Sequence, residues 1–279
     1  MDEQTLAAYL VRIGTRRPGA ADAPALRALH RAHLLAVPFE NLAIHLSEPI
    51  SLGQDALLDK IVTRRRGGFC YELNGAFALL LEALGFQVRR VAARVYGDGR
   101  LSPPFDHLAL VVRPADGTGP WLVDVGFGSH STYPLLFETG LDQDDPAGRF
   151  LLADAGNGAG ADGRDGAVDG AGHGDVDVFK DGRPQYRIER RERVLDDFGP
   201  TCWWQQTSPE SHFTTGTICS RLTEDGGRIS ISGRTLIRTA DGTRTETELP
   251  SDGDALAAYR DHFGIVLNEA PAVPAVPAG

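Results

Sequence analysis

Up to Gly85, apolar residues recur at the three- and four-residue spacing of amphipathic helices. Gln4 to Ile13 reads as a short first helix. Asp22 can cap a second, with Pro24 in its first turn and Leu26, Leu29, His33 and Val37 on the inward face. Pro38 ends it, because proline disfavours helical geometry in the preceding residue. Asp55 to Val62 is a third candidate. Cys70 to Leu84 is the strongest: Leu73, Phe77, Leu80, Leu81 and Leu84 form its apolar face, and Gly85 suits its C-terminal cap.

After Gly85 the period changes. Gln87 to Tyr96, His107 to Arg113 and Trp121 to Phe127 are short runs rich in β-branched and aromatic residues, divided by Gly, Pro and Asp. Further strands are expected at Val176–Lys180, Gln185–Arg190, Thr217–Leu222, Gly227–Ile231, Thr235–Thr239 and Thr243–Leu249. The pairs Asp225-Gly226 and Asp241-Gly242 suit hairpin turns. A last helix, Asp254 to His262, precedes a loose Pro/Ala-rich tail. Residues 154–175 are almost entirely Gly, Asp and Ala; they lack the apolar surface to offset ordering and read as a flexible insertion. Their spacing is too irregular for calcium-binding repeats.

Length and charge narrow the function classes. The chain has 279 residues, enough for two domains or one large one, with 42% hydrophobic and 24% charged residues. A net charge of −10 argues against nucleic acid as a partner. The acidic N-terminus lacks the features of a signal peptide, and the longest apolar run, Ala76 to Leu81, is cut by Glu82. No membrane association is expected. Three widely spaced cysteines without a CxxC fit a reduced, cytoplasmic protein.

One of those cysteines stands out. Cys70 follows Arg64-Arg65-Arg66-Gly67-Gly68-Phe69 and opens the strongest helix. Free amide N–H groups, the helix dipole and the three arginines are expected to favour a thiolate there. Gly67 and Gly68 are expected to let the chain turn sharply and leave room beside the sulfur. His107 begins one strand and Asp124 lies in the next; a turn centred near Ala115-Asp116 sets them directly opposite each other on one face. Asp106 points to the other face by alternation. A carboxylate among apolar strand residues needs a hydrogen-bonding partner, and an imidazole to orient supplies one. Cys70, His107 and Asp124 thus form a candidate nucleophile–base–acid triad; the competing readings are a buried structural thiol and a structural His–Asp pair. His30 and His33 share a helix face, but no Asp, Glu or Cys complements them, so no metal site is expected.

At this point the chain resembles the arylamine N-acetyltransferase family. The likeness is carried by Ala36-Val-Pro-Phe-Glu-Asn-Leu42, Arg66-Gly-Gly-Phe-Cys-Tyr-Glu-Leu-Asn74, Phe105-Asp-His-Leu108, Val123-Asp-Val-Gly-Phe-Gly128, Thr207-Ser-Pro-Glu-Ser-His-Phe213 and Phe263-Gly-Ile-Val-Leu267. The resemblance implies an α+β fold in three parts with a transglutaminase- or cysteine-protease-like catalytic core. These are a helical bundle over 1–86 with the cysteine, a β-barrel over 87–198 with His107 and Asp124, and an α/β lid over 199–279. It implies ping-pong transfer of acetyl from acetyl-CoA, as co-substrate without a bound cofactor, through a Cys70 thioester to an aromatic amine or hydrazine. Phe39, Tyr71, Val95 and Phe127 match acceptor-pocket positions, and Arg66 can pair with Glu40. Two features depart from the family: Cys202, where an Asn is frequent, and the Gly/Asp segment. An amide synthase releasing a polyketide as a macrolactam, a cysteine hydrolase and a non-enzymatic ligand binder remain alternatives.

Overall fold

A computed structural model describes residues 1–97, 99–155 and 174–273. Most of the Gly/Asp segment (156–173) and the end of the tail (274–279) lie outside the described residues.

The first part holds α1 (Glu3–Arg12), α2 (Ala23–Ala36), α3 (Leu42–His45), α4 (Gln54–Leu58) and α5 (Cys70–Ala83). Asp2 and Asp22 cap α1 and α2 by accepting from Thr5 N and Ala25 N. The expected third helix is divided: after α4 the chain widens into a π-helical turn over Asp59–Thr63. Helix α5 is buried on most sides; Leu73, Phe77, Leu80 and Leu81 are fully inaccessible. Each such side chain contributes about 1.5–3 kcal/mol by leaving water. Gly85, at φ +95°, ends the helix as its sequence position suggested.

Nine strands form one strongly curved sheet. They are β2 (Gln87–Gly97), β3 (Arg100–Leu101), β4 (His107–Arg113), β5 (Trp121–Val123), β6 (Leu135–Leu136), β7 (Asp142–Asp145), β8 (Gly148–Asp154), β9 (Val176–Lys180) and β10 (Arg183–Arg193). Their order is β6-β5-β4-β2-β10-β9-β8-β7, with β3 paired to β2. The free edges β6 and β7 meet through one side chain. The Gln143 amide accepts from Leu136 N at 2.6 Å and donates to Leu136 O at 2.9 Å, mimicking a ladder pair. The sheet is therefore a nearly closed barrel, filled by residues such as Phe150, Leu152, Val178, Tyr186 and Ile188. Strands β7 and β8 carry no period-two signal strong enough to read from sequence.

A second sheet, β1-β11-β12-β13-β14, joins distant parts of the chain. It pairs β1 (Phe39–Glu40) with β11 (Ile218–Leu222), then β12 (Arg228–Ser232), β13 (Thr235–Ala240) and β14 (Thr243–Glu248). Helix α8 (Asp252–Phe263) packs against it, while α6 (Gly199–Thr207), whose Cys202 packs with Phe69 and Phe198, and α7 (His212–Thr215) precede β11 in the chain. Both Asp-Gly turns form, with Gly226 at φ +80° and Asp241 and Gly242 at φ +50° and +73°. Among the described residues no helix is long and apolar enough to cross a membrane.

Candidate active site

Two corrections to the sequence reading shape the site. The β4–β5 ladder pairs Leu110 with Val123 and Val112 with Trp121. Extending it sets Asp124 opposite Ala109, two residues from His107 rather than directly facing it. A two-residue offset keeps both side chains on one face, so they still meet diagonally. Second, β5 stops at Val123 instead of running to Phe127. Beyond it, Val125 N donates to Asn74 Oδ1 (2.9 Å) and Gly126 N to Asp124 Oδ1 (3.0 Å). Side-chain acceptors have captured the amides a ladder would need.

The result is a buried chain of contacts. His107 Nε2 lies 2.7 Å from Asp124 Oδ2, and Asn74 Nδ2 donates to Asp124 Oδ1 (2.9 Å) and Leu108 O (2.6 Å). Burial works to raise the Asp124 carboxyl, but the His107 charge and hydrogen bonds from His107 and Asn74 hold it well below the usual carboxylate range. Asn74 was overlooked in the sequence. Its signal was a lone amide one turn after Cys70 on a helix whose neighbouring residues are apolar.

Cys70 is the first residue of α5, 4% exposed, with Sγ 3.9 Å from Asp106 O. Burial pushes its thiol well above the ordinary value, and the charges of Asp106 and Asp124 act the same way. The expected thiolate-favouring field of the arginines is not met, because these side chains are engaged elsewhere. Arg64 pairs with Asp59 (3.0 Å), and Arg66 with Glu40 (3.0 Å) and Glu48 (3.1 Å). Arg65 lines a cleft that does not include Cys70. The buried Arg66–Glu40 pair, the Glu72–Lys60 pair (2.6 Å) and the Glu40 N to Gly68 O bond (2.9 Å) hold the loop before Cys70.

The glycines of that loop also differ from expectation. A Cβ on Gly67 would sit 1.9 Å from Pro38 O, and one on Gly68 would sit 2.6 Å from Glu72 Oε2. They permit close packing rather than space beside the sulfur. Gly126 does the same across the site, where a Cβ would stand 2.7 Å from Cys70 Cα and 2.8 Å from Asn74 Nδ2.

Cys70 and His107 line one cavity of about 440 Å³, together with Phe39, Val95, Phe127 and Phe213. Tyr71, expected among the pocket residues, is not part of this lining. Helix α5 turns it inward, where its hydroxyl donates to Phe105 O (2.8 Å) and Asp106 O (3.0 Å). It packs with Phe69, Phe198 and Cys202. Cys202 is likewise outside the cavity lining, and burial pushes its thiol up to about 12. Asp106, expected on the opposite face, also reaches the cavity wall and binds Gln205 Nε2. Behind His107, Tyr186 and His130 stack in sequence, with ring centroids 5.2 Å apart at each step. Burial lowers His130 to about 4, partly opposed by the Asp124 charge. His30 and His33 are tied to Thr132 O (3.0 Å) and Tyr9 OH (3.1 Å). Among the described residues, no cluster of His, Cys, Asp and Glu could hold a metal.

The family model described as N-acetyltransferase matches residues 22–273. The arylamine N-acetyltransferase of Mycolicibacterium smegmatis is 34% identical, covering 95% of this chain and 93% of that protein. The structure of arylamine N-acetyltransferase from Salmonella typhimurium superposes with a TM-score of 0.81 at 29% identity, covering 95% and 92% of the two chains. The Mycobacterium marinum arylamine N-acetyltransferase in complex with CoA gives 0.80 at 32% identity, covering 93% and 92%.

Proposed function

The chain belongs to the arylamine N-acetyltransferase family, and from that membership we propose that it transfers acetyl from acetyl-CoA, through a Cys70 thioester, to an aromatic amine or hydrazine. The observation that carries the mechanism is the 2.7 Å His107–Asp124 contact beside a thiol on the same cavity. With Asp124 ionised, Nε2 of His107 carries the proton and Nδ1 keeps a lone pair. Cys70 passes its proton to that nitrogen, and the thiolate attacks the acetyl carbonyl carbon. Collapse of the tetrahedral intermediate expels the CoA thiolate, which takes the proton back from His107. The amine then attacks the thioester, His107 removes the amine's surplus proton, and Cys70 leaves and is reprotonated. Because burial disfavours a lone thiolate here, the ion pair with His107 is what makes the sulfur nucleophilic.

Phe39, Val95 and Phe127 form the acceptor wall in this reading, while His212, Phe213 and Ile218 supply the wall of a lid. The division into a bundle (1–86), a barrel (87–198) and a lid (199–279) follows, around a transglutaminase-like core. Three free thiols, Cys70, Cys202 and Cys219, support a reducing, cytoplasmic setting. A cavity of about 440 Å³ suits one substituted ring better than a polyketide chain.

Intact-mass spectrometry after mixing with acetyl-CoA tests the proposal. One acetyl group is expected on the wild type and none on Cys70→Ala. A thioester that forms but hydrolyses as fast with an arylamine as without would replace transfer by hydrolysis. Labelling only by long-chain acyl thioesters would favour the amide synthase.

A further inference from the structure

A second cleft, of about 970 Å³, runs along α2 from Pro24 to Ala36 and is bounded by the C-terminal ends of α1 and α8 and by Arg221 of strand β11. It shares no lining residue with the cavity at Cys70. The chain as a whole carries 38 acidic residues against 28 Lys and Arg, yet here the balance reverses. Arg12, Arg27, Arg31, Arg65, Arg221 and Arg260 line the cleft, against only Glu224 and Asp261 among its acids.

Two of these arginines have structural duties. Arg12 donates to Ile61 O, Ala36 O and Arg65 O, and Arg221 donates to Leu35 O and His262 O, answering the open carbonyls where helices end. Among the described residues neither forms an ion pair, although the Glu224 charge acts on Arg221. Burial first, and then repulsion from Arg65 and Arg221, lower Arg12 to about 10. Arg221 Nε is buried with no acceptor among the described residues. The two acids are spent on exposed pairs, Arg31–Glu224 (3.0 Å) and Arg260–Asp261 (2.8 Å), which are weak in water and readily exchanged. Arg27 lies 3.2 Å over the Tyr133 ring, which fixes its guanidinium plane. Arg65 sits in the left-handed region at φ +53°, an uncommon conformation for a residue with a side chain.

We propose that this cleft binds a small polyphosphate anion, with Arg27 and Arg65 as its principal contacts. Guanidinium groups meet phosphate oxygens through paired N–H donors, and several cations lining one cleft select a multiply charged ligand over a single carboxylate. The volume accommodates a di- or triphosphate chain with or without a nucleoside.

Isothermal titration of the unacylated protein with inorganic tripolyphosphate tests this, with ATP in a parallel arm. One saturable site is expected on the wild type, weakening as salt rises. Arg27→Gln/Arg65→Asn should weaken it at least about tenfold; Asn tolerates the left-handed backbone at position 65. Arg27→Gln alone, at an exposed helix position, should weaken it measurably with an unchanged melting curve, which covers a folding failure of the double variant. ATP bound more tightly than tripolyphosphate would mark a nucleotide site, and equal affinities a site for the phosphate chain alone. The absence of saturable binding, or equal affinity in wild type and both variants, would overturn the proposal.

Discussion

Replacing Asn74 by alanine removes three hydrogen bonds from one buried point: to Asp124 Oδ1, to Leu108 O and from Val125 N. The first is charge-assisted and worth about 1.5–3 kcal/mol, and each of the other two about 1 kcal/mol. Asp124 keeps Gly126 N and His107, so the folded state survives with a loss of about 4 kcal/mol, read as a lower urea midpoint. The carboxylate loses one of the contacts that orients it toward His107. A fall in kcat/KM of about 10- to 100-fold follows, equivalent to about 1.4–2.7 kcal/mol of transition-state stabilisation. A pH effect separates positioning from scaffolding. Asp124 is held below its ordinary value in the folded state, so its stabilising contribution is present above the unfolded pKa and lost as pH falls through the folded one. Without the Asn74 donor the folded value rises toward the ordinary one. The contribution shrinks, and the acid limb of kcat/KM moves to higher pH. An Asn74→Ala enzyme with a lower urea midpoint but an unmoved acid limb would show that Asn74 is only scaffold. A stability loss under about 1 kcal/mol would refute the hydrogen-bond accounting itself.

His130 is buried and held near 4 against an ordinary 6.5, so folding keeps it neutral and its contribution fades as pH drops below 6.5. That linkage costs about 2 kcal/mol between pH 7.5 and pH 5, and His130→Phe should flatten the pH dependence of the urea midpoint by this amount; identical slopes would contradict it. Gly126→Ala forces a methyl against Cys70 Cα and Asn74, so activity should fall more than about 100-fold in a protein whose far-ultraviolet circular dichroism is unchanged. Arg66→Met leaves Glu40 buried beside one fewer cation and should cost about 3–5 kcal/mol in chemical denaturation, whereas a near-neutral result would mean that Lys60 alone suffices.

The parts of the fold legible in the sequence are those governed by local rules. The cap at Asp22, the end of α5 at Gly85 and the Asp-Gly hairpins depend on a few adjacent residues, and each has a sequence signature. Among the strands missed, β7 and β8 are held by the barrel around them, with the β6–β7 seam resting on the Gln143 amide. Tyr71 shows the limit for site residues. The family resemblance suggested the pocket, but consecutive helical positions point about 100° apart, and Tyr71 faces the Phe69–Phe198 cluster.

By itself the sequence determined that a cysteine opens the most apolar helix and that His107 opens a strand. Periodicity and alternation operate within a single element, so they are readable from it. Only the tertiary structure decided the two-residue register, the recruitment of Asn74, the diversion of Arg64 and Arg66 into ion pairs, and the burial that raises the Cys70 thiol. Each depends on which elements from distant parts of the chain come to lie within a few ångströms, and on how much water their packing leaves around the groups they bring together.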